Sequence, residues 1–132
     1  MWPFSYFRKG LVMVFTESLR KNIQFQTVYH NGQSYGTKLF VMYVMKNSTE
    51  GNRLGISVSK KVGNSIVRHR VKRLVHENYR LHENMFNSGL DIVVIARPGA
   101  ATANYQEVER ALIYLGNRLH IIKENNNKED NN

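Results

Sequence analysis

Histidine and carboxylate side chains are the residues of this 132-residue chain that could carry out hydrolysis. The pair His76-Glu77 begins like the zinc-protease motif H-E-x-x-H, but Arg80 occupies the place of the second histidine. His69 shares a helix face with His76, yet no third ligand is evident and the surrounding arginines repel a cation. The carboxylates are scattered, with Asp91 isolated at a strand start. The pattern therefore predicts neither a metal site nor a catalytic centre.

Basic residues, by contrast, are concentrated between Arg53 and Arg80. This stretch holds eight Lys and Arg against one acid, Glu77, a net charge of +7, whereas the whole chain has 19 Lys and Arg, 10 Asp and Glu and a net charge of +9. A solvated helix face usually interleaves both signs, because like charges repel. The uncompensated charge predicts contact with a polyanion, and the rigid guanidinium fork suits phosphate.

A strand followed by a helix positions these charges. Apolar and small residues alternate over 54–59, which predicts a half-buried strand. A turn over 60–64 ends the alternation, and Asn64 or Ser65 then caps a helix whose apolar residues recur at helical spacing. One helix face is therefore expected in a core. Its basic side chains away from the apolar stripe, or at its edge, are Arg68, His69, Arg70, Lys72, Arg73, His76 and Arg80.

The remaining elements are read from caps and apolar runs. Thr16 and Ser18 can cap a first helix that ends near Gly32. Strands are predicted over 33–36 and 38–45, the second of them central, and over 90–96, and Asn104 or Thr102 caps a last helix. Phe25 and Tyr29 are four residues apart in the first helix and so share a face, which by itself fits two core aromatics.

Length and composition predict one domain over residues 16–123. Residues 1–15 are expected to be a poorly ordered N-terminal extension. They resemble no signal peptide and are too short to span a bilayer. Residues 124–132 are rich in Asn and predict a disordered polar tail. The chain contains no Cys, which excludes disulfides and thiolate metal sites.

The run SVSKKVGNSIVRHRVKRL, residues 57–74, resembles the signature of the bacterial ribonuclease P protein subunit. The resemblance extends to NIQFQTVYHNGQSY, LFVMYV and DIVVIARPGA, and covers the chain from Leu19 to His120. Two positions differ from the family pattern. His69 replaces the Asn of the R-N-R motif, and His76 replaces a common Arg, although both keep the ability to form hydrogen bonds.

This resemblance implies a fold that residue spacing does not reveal. It is an α/β (α+β) two-layer sandwich of the ribosomal protein S5 domain 2-like class, with the element order α-β-β-β-α-β-α. The family has an unusual left-handed βαβ crossover, whereas such connections are ordinarily right-handed.

The resemblance also implies a function in which the RNA subunit carries the chemistry. The reaction is hydrolysis of precursor tRNA to release its 5′ leader, with Mg²⁺ held mainly by RNA. The partners would be the catalytic RNA and precursor tRNA in the bacterial cytoplasm, with no membrane and no obligate protein partner. Implied contacts with catalytic RNA and phosphates are Lys60, Lys61, Asn64, Arg68, His69, Arg70, Lys72, Arg73, His76 and Arg80. The residues implied to line the groove for the 5′ leader are Phe25, Tyr29, Tyr43 and Ser57.

Two other classes of function remain open on the residues alone. A general nucleic-acid-binding protein could insert the basic helix into a major groove, and it predicts comparable binding to duplex DNA and structured RNA. A free-standing nuclease using His69 or His76 predicts cleavage without any RNA cofactor.

Overall fold

Five strands and three α-helices make up residues 13–123, the part of the chain that the computed structural model describes. The predictions for residues 1–12 and 124–132 lie outside this part. None of the helices within residues 13–123 is long and apolar enough to cross a membrane. In chain order the elements are β1 (Thr16–Ser18), α1 (Asn22–Asn31), β2 (Gln33–Gly36), β3 (Phe40–Lys46), β4 (Asn52–Ser57), α2 (Ser65–Leu81), β5 (Leu90–Ala96) and α3 (Tyr105–Arg118), with short 3₁₀ helices at Glu83–Met85 and Pro98–Thr102.

The strands form one mixed sheet in the order β1-β4-β5-β3-β2. β4 is parallel to β1 and β5, whereas β3 is antiparallel to β5 and β2. β5 is therefore the middle strand, and β3 lies inside the sheet between β5 and β2, in agreement with the prediction of a strand covered on both faces. From α1 onward the elements follow one another as α-β-β-β-α-β-α, and β1 precedes them. The handedness of the connection from β4 through α2 to β5 stays a prediction.

Helices cover both faces of the sheet, which gives three layers instead of the two predicted. Phe40 and Met42 of β3 belong to the main core with the apolar residues of α2 and α3. Tyr43 and Met45 point the other way and pack near Val28 of α1 in a second, smaller cluster. Because successive side chains of a strand point to opposite faces, one apolar strand contributes to both cores.

Thr16 begins β1 and does not cap a helix, so the predicted helix start is wrong. The backbone of Thr16–Ser18 pairs in parallel with residues 52–54 of β4. Helix α1 begins after Lys21, whose backbone N–H donates to Oε1 of Gln24 (3.0 Å). This local cap starts the helix later than the Thr and Ser signals had indicated.

A buried polar network anchors β1 and the residues just before it. The side chain of Glu83 accepts hydrogen bonds from the backbone N–H groups of Val14 (2.6 Å) and Phe15 (2.9 Å) and from the hydroxyl of Thr16 (2.6 Å). The Thr16 hydroxyl also contacts that of Tyr79 (2.9 Å). Burial raises the pKa of the Tyr79 hydroxyl, and its hydrogen bonds partly offset this effect. Val14 and Phe15, assigned to the extension by sequence, are thus hydrogen-bonded to the domain.

Helix α2 begins at the predicted cap. The side-chain oxygen of Asn64 accepts a hydrogen bond from the backbone N–H of Val67 (3.0 Å), which satisfies a free donor of the first turn. Val71, Val75 and Tyr79 are buried against the sheet at helical spacing. The packing of this stripe directs the exposed basic residues of α2 outward.

Candidate nucleic-acid interface

A groove runs along the part of β4 that β1 leaves unpaired. β1 pairs only with residues 52–54, and within residues 13–123 no other strand lies beside Gly55–Ser57 on that side. Helix α1 packs on one face of the sheet and α2 on the other. Residues of both helices line this edge. We call this feature the β4 groove. Its lining residues are Arg20, Asn22, Phe25, Gln26, Tyr29, Ile56, Ser57, Val58 and Lys72.

Phe25 and Tyr29 form an aromatic wall of the β4 groove. Their ring centroids are 6.4 Å apart, and a Cβ atom at Gly55 would lie only 2.6 Å from the Phe25 ring. Burial raises the pKa of the Tyr29 hydroxyl, and a hydrogen bond with Ser57 partly offsets this effect. Tyr43 packs behind Tyr29, edge to face, with a centroid distance of 5.1 Å. Three of the four predicted groove residues therefore line the groove, and Tyr43 supports one of them.

Helix α2 borders the groove with Lys72, which belongs to a row of basic side chains on one helix face. We call this row the cationic stripe; it consists of His69, Lys72, Arg73 and His76. Their spacing of three and four residues places them on one helix face. Lys72 borders the β4 groove and also its continuation toward β1. This continuation is lined by Ser18, Leu19, Leu54, Ile56, His69, Lys72, Arg73 and His76. Aromatic and cationic side chains thus border the same open strand edge.

Glu17 and Glu77 are the carboxylates nearest the cationic stripe: Glu17 lines a pocket with His76, and Glu77 follows His76 in α2. Within residues 13–123 the ion pairs are Arg53 with Asp91 (2.6 Å), Arg80 with Glu77 (2.5 Å) and His82 with Glu109 (2.9 Å). The same part of the chain contains no cluster of three or more His, Cys, Asp or Glu that could hold a metal ion. Since these ion pairs do not involve Lys72 or Arg73, the charges of the stripe are available to an anionic ligand.

Arg70 and Arg80 point away from the β4 groove, although both were predicted to bind RNA. The guanidinium of Arg70 donates to the backbone carbonyls of Ala101 (3.1 Å) and Ala103 (2.5 Å). Arg80 is paired with Glu77, and only 12% of its side chain is exposed. Arg70 therefore holds α2 against residues 101–103, whereas Arg80 is engaged within α2, and neither lines the β4 groove. Their contact with catalytic RNA stays a prediction.

The other predicted contacts lie near the start of α2. Asn64 is the helix cap, and Nε of Arg68 donates to the carbonyl of Gly63 (3.1 Å). Lys60 and Lys61 are exposed in the turn that follows β4. They extend the positive surface beyond the end of the groove, while Asn64 and Arg68 shape the turn.

Sequence analysis missed Arg20, Asn22 and Gln26 as lining residues of the groove. A signal was present, because Asn22 and Gln26 precede Tyr29 by seven and three residues and therefore share its helix face. The expectation that α1 begins at Thr16 obscured this pattern.

Comparisons with known proteins agree with the resemblance seen in the sequence. A family model described as Ribonuclease P matches residues 13–120. The chain is 56% identical over 107 residues to the ribonuclease P protein component of Lachnoclostridium phytofermentans, which covers 81% of this chain and 91% of that protein. It is similar to the RNase P protein structure of Staphylococcus aureus (TM-score 0.74, 34% identity, 80% of this chain and 97% of that one). It is also similar to that of Thermotoga maritima (TM-score 0.69, 32% identity, 78% and 94%). The chain therefore belongs to the ribonuclease P protein family, the protein component of an endoribonuclease that processes tRNA.

Proposed function

We propose that this chain binds the catalytic RNA of ribonuclease P and holds the 5′ leader of precursor tRNA in the β4 groove. The observation that carries the proposal is the open edge of β4, bordered by aromatic rings on α1 and by the cationic stripe on α2. Stacking of a base on an aromatic ring contributes roughly 1–3 kcal/mol. Lys and Arg neutralise the phosphates that link the bases.

This arrangement suits leaders of many different sequences. Every base has a flat face that can stack on Phe25 or Tyr29, and the stripe binds phosphates, which are the same in every nucleotide. The backbone groups of Gly55–Ser57 that face away from β5 add donors and acceptors along the groove. We expect affinity for single-stranded RNA with little dependence on its bases.

In this proposal, hydrolysis of the phosphodiester bond belongs to the RNA subunit, with Mg²⁺ held mainly by RNA phosphates. Lys72 and Arg73 lie beside His69 and His76, and their charges oppose the binding of a divalent cation by these histidines. The protein would instead neutralise phosphates as leader and catalytic RNA come together, which lowers the Mg²⁺ concentration they need. The proposed setting is the bacterial cytoplasm, with no obligate protein partner.

Cleavage of the 5′ leader at low Mg²⁺ tests this function. The rate is measured for a precursor tRNA with a bacterial ribonuclease P RNA alone, with this chain alone and with both. We expect strong stimulation when both are present and a smaller effect of the protein as Mg²⁺ rises. A parallel competition experiment compares duplex DNA with catalytic RNA as the competitor.

Two results would contradict the proposal. If the chain binds RNA tightly without stimulating cleavage, and duplex DNA competes equally well, it is a general nucleic-acid-binding protein. If the chain cleaves precursor tRNA without any RNA cofactor, it is a nuclease in its own right.

Replacement of Gly55 by Ala is expected to weaken binding of the leader without unfolding the protein. The added Cβ would lie 2.6 Å from the Phe25 ring, so the ring must leave its place in the groove. The crowded atoms are the ends of the Phe25 and Leu19 side chains, the second at 3.1 Å, and a loss of about 1–3 kcal/mol in the free energy of unfolding is expected. Affinity for leader-bearing precursor should fall roughly 5- to 30-fold, as expected for one weakened base stack. The dissociation constants of precursor and mature tRNA measure this effect.

Gly36→Ala is the matched control, because a Cβ at Gly36 meets its nearest atoms at 3.5 Å, an ordinary contact distance. We expect this variant to bind the leader like the unaltered chain. Equal leader affinity in Gly55→Ala and Gly36→Ala would show that the position of Phe25 does not matter to the leader.

A further inference from the structure

A second aromatic and cationic cluster lies outside the β4 groove. The ring centroids of Tyr35 and Tyr114 are 6.1 Å apart, with the ring planes inclined by 58°. The guanidinium of Arg118 lies over the Tyr35 ring, 4.7 Å from its centroid. Tyr35 belongs to β2, whereas Tyr114 and Arg118 belong to α3. The packing of α3 against the sheet therefore assembles this cluster.

The cluster lies at the sheet edge opposite the β4 groove. β2 is the last strand on its side, and β5 and β3 separate it from β4. With about 4.8 Å between neighbouring strands, β2 and β4 are roughly 14 Å apart. A strand of RNA that follows the open edge of β4 therefore runs along the opposite edge of the sheet from β2 and the cluster that contains Tyr114.

Exposure and charge at this edge fit a ligand with aromatic and anionic groups. Tyr114 is 47% exposed, so a large part of its ring is accessible. Arg110 and Arg118 lie one helical turn before and after it, and both are exposed. The ion pairs found in residues 13–123 involve neither arginine. An accessible ring between two uncompensated guanidinium groups can bind an unstacked base and its flanking phosphates.

We propose that Arg110, Tyr114 and Arg118, the α3 patch, bind an unpaired segment of the catalytic RNA. The inference rests on the proposed function, because it takes assembly with that RNA as given. The precursor leader is assigned to the opposite edge of the sheet, which leaves the catalytic RNA as the occupant of the α3 patch.

A second copy of the chain is a poor occupant of the α3 patch. A two-fold contact places the same surface of both copies together, so the arginines of one copy would meet those of the other. Like charges in an interface oppose association, whereas RNA phosphates complement them.

Two substitutions test the α3 patch in the full chain. Tyr114→Ala removes the ring and Arg118→Glu reverses a charge, while Tyr114→Phe keeps the ring as a matched control. Lys46→Glu, at an exposed position at the end of β3, controls for the change in net charge. The dissociation constant for the catalytic RNA alone is measured at several salt concentrations. The assembled holoenzyme is then tested with precursor and mature tRNA.

We expect Tyr114→Ala and Arg118→Glu each to weaken binding of catalytic RNA roughly 5- to 30-fold. Arg118→Glu should also reduce the slope of log K against log salt by about 1. Tyr114→Phe and Lys46→Glu should stay within about twofold of the unaltered chain, and the preference of the holoenzyme for precursor over mature tRNA should not change. Thermal unfolding verifies the fold, and Arg118→Glu decides the question if Tyr114→Ala is unfolded.

Three results would overturn the inference. The first is unchanged affinity for catalytic RNA in both variants. The second is a loss of preference for precursor tRNA, which would assign the α3 patch to the substrate. The third is a dimer, seen by sedimentation, that Tyr114→Ala dissociates.

Lys72→Glu in the same assay separates this inference from the proposed function. If Lys72→Glu weakens binding of catalytic RNA and the α3 variants do not, the inference about the α3 patch is wrong and the proposed function stands. If no variant weakens this binding, the inference and the proposed function are both wrong.

Discussion

Replacing both Lys72 and Arg73 with glutamate is expected to weaken binding of catalytic RNA and of leader-bearing precursor tRNA by about 100-fold or more. Both side chains are exposed and line the continuation of the β4 groove toward β1, and the ion pairs found in residues 13–123 do not involve them. A hydrogen bond to a charged group contributes about 1.5–3 kcal/mol, so loss of two such contacts is worth at least about 3 kcal/mol. The new carboxylates also repel phosphate, which adds to the effect.

The salt dependence of binding distinguishes this mechanism from a general loss of structure. Each phosphate contact that is removed should lower the slope of log K against log salt by about 1, so the double variant should lose about 2. A control with Lys46→Glu and Lys123→Glu changes the net charge equally at two exposed positions outside the groove. The assignment of the cationic stripe to RNA binding would be wrong if the two double variants bound RNA with the same affinity and the same salt slope.

Replacing Glu83 with Ala is expected to lower the free energy of unfolding by roughly 2–4 kcal/mol. Glu83 is 3% exposed, and its carboxylate accepts three hydrogen bonds from Val14, Phe15 and Thr16. Removal of the carboxylate leaves these donors without a protein partner and releases the residues that position β1. Denaturant unfolding measures the loss, and hydrogen exchange at residues 14–18 should show the largest increase in rate.

Two variants serve as controls for Glu83→Ala. Glu83→Gln keeps the size and one acceptor oxygen but points an amide donor at other donors, so its loss should be intermediate. Glu50→Ala removes a carboxylate from an exposed position, where a change within about 0.5 kcal/mol is expected. A free energy of unfolding in Glu83→Ala equal to that of Glu50→Ala would show that the network contributes little to stability.

Elements with strong local signals were predicted well from the sequence. Leu90–Ala96 is a short apolar run rich in β-branched residues, and it forms β5 with the predicted bounds. Asn64 and Asn104 are the caps of α2 and α3, since their side chains accept hydrogen bonds within the first turn. β1 could not be predicted in this way. Its partner, residues 52–54, is distant in sequence, and Thr16 has the same local signature whether it caps a helix or binds Glu83.

The residues of the candidate interface show the same contrast between local sequence signals and contacts that form only in the folded chain. Phe25 and Tyr29 share a helix face by spacing alone, and the structure places both in the groove. The direction of Arg70 depends on the carbonyls of Ala101 and Ala103, which the chain brings near α2 only after it has folded. Helical spacing places a side chain on a face, whereas tertiary contacts decide which face meets the ligand.

The open half of β4 also bears on how two copies of the chain would interact. An unpaired strand edge is a template for another β-strand, and natural proteins protect such edges from aggregation. Lys60, Lys61 and Lys72 lie at or beside this edge, so two chains that approached edge to edge would bring these charges together. We therefore expect the positive charge of these lysines to oppose edge-to-edge association of two chains, and added salt to weaken this repulsion by screening it.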